Sequence, residues 1–194
     1  VTYAVLAPLT CESRARVLEH WLRIAGECHG MNNFSSLYSI FCGINSTPVY
    51  RLKKTWALVN VSLVELFEVF SVLFAPQKNS INFRNSLNSA ILPAIPHVGM
   101  FLSDLTFNED GNATVLPCTE SGFPKKINVM KLCKVAGIIE RAEEFQAAEY
   151  CFHPVEGLSK YIGQFREHER DELYDLSYLR EPKKSAGRKK GRIV

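Results

Sequence analysis

Pro96-His97-Val98-Gly99-Met100-Phe101-Leu102-Ser103-Asp104-Leu105-Thr106-Phe107-Asn108-Glu109-Asp110-Gly111-Asn112 carries two stripes at helical spacing. Val98, Leu102 and Leu105, with Phe101 beside them, form an apolar stripe. Gly99, Ser103, Thr106 and Asp110 form a second stripe, small and polar, that ends in a carboxylate. Pro96 opens the segment and Gly111-Asn112 closes it, as start and stop signals do. A second helical pattern runs from Asn128 to Tyr150. Its periodicity predicts an inner stripe of Leu132, Val135, Ala136, Ile139 and Ala142, and an outer stripe of Lys131, Lys134, Ile138 and Arg141. Two helices joined by a loop make a helical hairpin, and Pro93 and Pro96 break the chain just ahead of it.

Outward from this hairpin the chain keeps a helical period. Val1 to Leu9 is apolar and reads as the end of a helix. Ser13 to Cys28 places Val17, Leu18, Trp21, Leu22, Ala25 and Cys28 inward and Arg14, Arg16, Glu19 and Arg23 outward. Asn32 or Asn33 is placed to cap the next helix, Phe34 to Cys42. Asn45-Ser46-Thr47-Pro48 is a turn, and Val49 to Trp56 reads as one helix with Val49, Leu52 and Trp56 on one side. Ser62 to Phe74 is strongly amphipathic and Asn79 to Ile91 more weakly so. Leu158 to Phe165 and Arg170 to Leu179 read as short helices. No alternating run is backed by hairpin-turn residues. The fold class is therefore all-α: an irregular helical bundle with a protruding helical hairpin.

Composition narrows the function classes. The chain has 194 residues, 46% hydrophobic and 22% charged, as ordinary globular proteins have. The net charge of +3 is small, and much of the positive excess lies in residues 183–194. The body is close to neutral, so no nucleic-acid surface is expected. The tail beyond Pro182 is poor in apolar residues and reads as disordered. It is a candidate for weak contact with anionic membrane lipid, against the plainer reading of a solvated end. Six cysteines stand far apart with no C-x-x-C, which fits neither a zinc site nor a disulfide scaffold and suggests a reducing compartment. The start of the chain does not read as a signal peptide, and no apolar run reaches the length of a membrane span. A cytoplasmic protein, with recruitment to membrane left open, is the expectation.

Enzyme signatures are missing. The sequence contains no G-x-x-x-x-G-K-[ST], G-x-G-x-x-G, H-E-x-x-H or G-x-S-x-G. His20, His29, His97, His153 and His168 are scattered singly and read as surface or packing residues. No metal and no cofactor is expected.

Several blocks, in order, resemble the catalytic domain of Ras-family guanine-nucleotide exchange factors. They are Arg14-x-x-Val17-x-x-x-Trp21-x-x-Ile24-Ala25-x-x-Cys28-x-x-x-Asn32-Asn33-Phe34, then Asn45-Ser46-Thr47-Pro48-Val49-Tyr50-Arg51-Leu52-Lys53-Lys54-Thr55-Trp56, then Asn82-Phe83-Arg84. Ile95-Pro96-x-x-Gly99-x-x-Leu102-x-Asp104-Leu105 follows, with Glu109-Asp110-Gly111-Asn112, Ile127-Asn128 and Phe145-Gln146. Leu173-Tyr174-x-Leu176-Ser177-x-x-x-Glu181-Pro182 is similar to the family domain's close. The resemblance covers residues 1–182 and implies that the first part of the domain lies before Val1.

The resemblance implies a partner, a Ras-like small GTPase such as Ras or Rap, and a mechanism without covalent chemistry. The exchange factor binds the nucleotide-free GTPase more tightly than the loaded one and so shifts the population toward GDP release. The hairpin wedges the GTPase's switch I aside. Carried over by position, Ser103 is the small hydroxyl facing the GTPase, Thr106 crowds the Mg²⁺ position, and Asp110 is the carboxylate near the phosphates. Asp110 is one methylene shorter than the family's usual glutamate. Lys134 matches a basic contact position. Asn45 and Tyr50 match positions that meet switch II, and Asn82, Phe83 and Arg84 match a further contact segment. Competing readings stand beside these. Ser103, Thr106 and Asp110 are also what a solvated helix face looks like. Asn45 suits a turn, Tyr50 and Phe83 suit a core, and Arg51, Lys53 and Lys54 suit a solvated basic face. Function at this level is guanine-nucleotide exchange, or alternatively a GTPase-binding or scaffold module without exchange activity.

Overall fold

A computed structural model describes residues 1–117 and 125–183. Among the described residues the chain forms eleven helices and one two-stranded ribbon, in agreement with the all-α reading. In order the helices are α1 (Thr2–Leu6), α2 (Cys11–Gly30), α3 (Phe34–Asn45), α4 (Thr47–Tyr50), α5 (Lys53–Trp56), α6 (Val61–Leu73), α7 (Gln77–Ser89) and α8 (Val98–Gly111). The ribbon strands β1 (Val115–Pro117) and β2 (Lys125–Ile127) precede α9 (Val129–Glu144), α10 (Glu156–Gly163) and α11 (Arg170–Arg180). No helix among the described residues is long and apolar enough to cross a membrane. The disorder expected of the basic tail falls on residues outside those described, apart from Lys183.

The backbone divides into two compact units. Among the described residues the first takes 1–24, 40–69 and 155–183. Its core is built from Val5, Leu6, Leu18, Leu22, Ile44, Val49, Leu52 and Phe67. Leu52 and its bend separate α4 from α5, so the single helix expected from Val49 to Trp56 is two short turns instead. The reason lies in α11. Arg51 donates to the Ser177 carbonyl and hydroxyl, both at 2.9 Å, and to the Glu181 carbonyl at 2.6 Å. The Glu181 carboxylate accepts from the amides of Lys54 and Thr55 at 3.0 and 2.9 Å and thereby caps α5. Thr55 Oγ1 donates to Glu181 and accepts from Arg14 Nε at 3.1 Å. Arg14, expected to face outward, is 1% exposed and also holds the carbonyls of Pro8 and Leu9. Arg51 likewise is a clasp on the C-terminal helix and no part of a solvated basic face. Lys53 and Lys54 are exposed.

The second unit takes, among the described residues, 25–39, 70–117 and 125–154, and contains the hairpin. Its core includes Phe34, Leu37, Phe70, Phe83 and Leu87, with Phe83 edge-on to Phe34 at 5.6 Å. Asn33 caps α3 by accepting from the Ser36 amide at 3.0 Å. Asn32 takes the left-handed conformation at φ 57°, which asparagine tolerates, and donates to the Ile91 carbonyl. Ile95 then pairs with this corner: its amide donates to the Asn32 carbonyl and its carbonyl accepts from the Ser35 amide. The start of the hairpin is thereby pinned to the start of α3.

The loop between the hairpin helices holds the one ribbon among the described residues, where the sequence shows no alternating run. Val115, Leu116 and Pro117 pair antiparallel with Ile127, Lys126 and Lys125. Residues 118–124 lie outside the described ones. The ribbon is short and its residues mostly exposed, so it leaves no two-residue period for a sequence reading to find.

Candidate functional site

The site is α8 and what holds it. Ser103, Thr106 and Asp110 are all exposed along one face of this helix. Both hydroxyls donate to the carbonyl one turn back, Ser103 to Gly99 at 2.8 Å and Thr106 to Leu102 at 2.9 Å. With their protons committed, they offer only lone pairs outward. Asp110 adds a carboxylate at the end of the same face. The stripe is therefore acceptor-only over its length.

The opposite side differs from expectation. Of the predicted apolar stripe, Phe101 is buried and Leu105 half-buried, while Val98 and Leu102 are 59% and 58% exposed. The packed face runs instead through Phe101, Asp104, Leu105 and Asn108. Asn108 is 7% exposed, donates to the Lys131 carbonyl at 3.3 Å, and accepts from Asn112.

The second helix is rotated from its predicted orientation. Lys131, assigned to the outer stripe, is buried, and Ile138 and Arg141 are half-buried. Leu132 and Ile139, assigned inward, are 52% and 45% exposed. The reason is polar: α9 meets α8 through Asn108 and Lys131, and a helix cannot turn both this polar edge and its apolar edge to one partner. Lys131 reaches the Glu109 carboxylate at 2.7 Å and Thr114 Oγ1 at 2.8 Å. Asn128 caps α9 by accepting from the Lys131 amide. Phe101 and Phe145 close the base, 6.2 Å apart, with the Arg141 guanidinium over Phe145.

Lys134 is exposed and donates to Asn112 Oδ1 at 3.1 Å, which places it beside the Asp110 end of α8. At the other end His97 precedes α8. Its ring tilts onto Tyr38 at 4.3 Å, and partial burial holds its imidazole below the ordinary value. Gly99 lets this ring lie close, because a Cβ would fall 2.6 Å from His97 Nε2 and push the imidazole aside.

The Asn82-Phe83-Arg84 segment separates into three environments. Asn82 is exposed and donates to the Val72 carbonyl at 2.9 Å. Phe83 is 4% exposed and belongs to the core. Arg84 makes a bidentate pair with Asp104, at 2.8 and 2.6 Å, which holds its guanidinium above the usual value. In the first unit Asn45 is exposed at the end of α3. Tyr50 is 51% exposed, with Lys53 Nζ 4.0 Å above its ring. Sequence reasoning missed Asp104, Asn108 and Lys131. A buried amide and a buried ammonium on a helix read as surface residues until their partners are known. Among the described residues no cluster of histidine, cysteine, aspartate or glutamate is arranged to hold a metal ion.

Comparison with known proteins gives this geometry its family. Residues 1–133 match the RasGEF domain. The chain is 34% identical over 169 residues to "Ras guanine nucleotide exchange factor Y" of Dictyostelium discoideum, covering 87% of this chain and 11% of that protein. It is 34% identical over 192 residues to "Putative truncated guanine nucleotide exchange factor SDC25" of Saccharomyces cerevisiae, covering 94% of this chain and 18% of that protein. To "Ras guanine nucleotide exchange factor S" of Dictyostelium discoideum it is 33% identical over 189 residues, again 94% of this chain and 18% of the other. The chain thus spans less than a fifth of the length of these relatives. A domain match over residues 1–133 takes in α8 and its acceptor face, and with relatives aligned over most of the chain it settles the assignment: this protein belongs to the RasGEF domain family.

Proposed function

We propose that the chain carries the exchange surface of a factor that promotes GDP release from a Ras-like small GTPase, with the α8–α9 hairpin as the working element. The observation that carries the reading is the exposed acceptor face of α8, where Ser103, Thr106 and Asp110 all point to solvent. Such a face suits a nucleotide pocket in two ways. A carboxylate competes with phosphate for the same cationic and amide donors. It also repels the phosphates electrostatically, favouring the emptied state. Thr106 stands where it crowds the metal that bridges nucleotide and GTPase, and Lys134 supplies a cation beside the carboxylate. Asn45, Tyr50 and Asn82 are further contacts to the GTPase in this reading, and Phe83 supports Asn82 from the core. Action is by differential affinity: each tenfold preference for the emptied GTPase is worth about 1.4 kcal/mol.

The test is release of a fluorescent GDP analogue from Ras and from Rap in the presence of the chain. Replacing Thr106 and Asp110 together by alanine is expected to slow release at least about tenfold, a loss of about 1.4 kcal/mol of differential binding. Binding of the GTPase with flat release kinetics would favour a binding module without exchange activity, a reading to which the short reach of Asp110 lends support. Wild-type rates in the double variant would refute the roles given to these two residues.

A further inference from the structure

We propose that the Arg84–Asp104 ion pair is a strut that sets the tilt of the hairpin, so that Arg84 serves exchange as a positioning residue and makes no contact with the GTPase. This rests on the hairpin being the working element, as proposed above. Arg84 already commits Nε to the Asn79 carbonyl at 2.8 Å, both terminal nitrogens to Asp104, and a weaker bond to Asn79 Oδ1. Little of its donor fork is left for another protein. The bidentate pair ties α7 to α8, and it is only about a quarter exposed.

The surroundings of the pair matter equally. On one side lies an open cleft of about 420 Å³, where Leu87, Phe101 and Ile138 stand beside the polar Asn108, Lys134 and Arg141 and the pair itself. On another lies a cleft of about 270 Å³ bounded by Phe83, Arg84, His97, Met100 and Phe107. Both clefts open to solvent, so the pair is flanked on two sides by space and not by packed side chains that would hold the angle in its place. Meanwhile α8 and α9 are fastened to each other through Asn108, Lys131 and Glu109, so they move together. Asp110 lies six residues beyond Asp104, roughly 9 Å along the helix axis. A tilt of about 10° about Asp104 would carry Asp110 roughly 1.5 Å sideways, a shift large enough to spoil a positioned group.

The experiment uses the full chain with spin labels on the native Cys133 of α9 and on Asn85→Cys of α7, the other cysteines except buried Cys28 being replaced by serine. The unsubstituted pair is expected to give one narrow distance. Arg84→Gln and Asp104→Asn are each expected to widen that distribution at least about twofold. They should also lower the maximal exchange rate about tenfold, the loss of about 1.4 kcal/mol, while the half-saturating concentration stays within about threefold. The swapped double variant, Arg84→Asp with Asp104→Arg, should narrow the distances and recover exchange together. An unchanged distance in both single variants would overturn the strut. So would loss of exchange on changing Arg84 with none on changing Asp104, the pattern of a direct contact. Where Arg84→Gln loses its helical circular dichroism, Arg84→Lys, which keeps the charge without the fork, carries the same two outcomes. The distances need no GTPase. A chain without exchange activity but with widened distances would therefore fail the proposed function and leave the strut standing.

Discussion

The ammonium of Lys131, a residue only 4% exposed, lies 2.7 Å from the carboxylate of Glu109, which is 66% exposed. The two ends of the contact differ in what their removal leaves behind. Lys131→Ala deletes a buried aliphatic stem together with the link from α9 to Glu109 and Thr114, and should cost about 2 kcal/mol. Glu109→Ala strands the ammonium on Thr114 Oγ1, but water already reaches the carboxylate side, so about 1 kcal/mol is expected. Urea midpoints check the order of the two losses, and amide exchange along α9 checks that both are local to the hairpin. The reverse order would mean that the charge, and not the stem, holds the helices together.

Glu181 is the corresponding point in the first unit. It is 7% exposed, caps α5, and lies 3.8 Å from Arg14, itself 1% exposed. Glu181→Ala leaves a buried guanidinium without its carboxylate and two amides without an acceptor. A loss of about 3–5 kcal/mol is expected, read as a fall in the urea midpoint. Removing both charges, as Arg14→Met with Glu181→Leu, should recover part of that loss, because the unpaired charge goes too. A double variant weaker than the sum of the single losses would contradict this account.

The helices were readable because long amphipathic segments such as α2 and α6 keep their period across several turns. What could not be read was which polar residues face inward. Arg14 looked like a surface residue because its partners, Thr55 and Glu181, lie 41 residues or more away in the chain. The orientation of α9 was misjudged for the same reason: Asn108 draws Lys131 inward and turns Leu132 out to solvent. The break between α4 and α5 depends on Arg51 reaching α11, a contact 126 residues distant. The exposed face of Ser103, Thr106 and Asp110 could be read because exposure, unlike burial of a polar group, needs no partner.

His97 gives a pH dependence with a definite sign. Burial against Tyr38 and Gly99 disfavours its charged form, so its folded value lies below the ordinary value of about 6.5. Between the two values the unfolded chain binds more protons than the folded one. The His97 contribution is therefore fully present above about pH 6.5 and declines as pH falls through the folded value. Urea midpoints of the chain are expected to fall from neutral pH toward pH 5.5 more steeply than those of His97→Gln. Parallel curves for the two proteins would remove His97 from the account.

Asp110 separates the chemistry of the α8 face from its mere exposure. The residue is exposed and the structure gives it no part in the core, so substitution there should leave stability within about 0.5 kcal/mol. Asp110→Asn keeps size and removes charge, and should slow GDP release about tenfold or more, equivalent to about 1.4 kcal/mol of differential binding. Asp110→Glu adds one methylene and so lengthens the reach of the carboxylate. It is expected to accelerate release severalfold over the unsubstituted chain. Release rates measured alongside urea midpoints distinguish the cases. An acceleration by glutamate with a loss by asparagine assigns the carboxylate to the GTPase's phosphate pocket. Equal rates for all three side chains would assign this face to solvent alone.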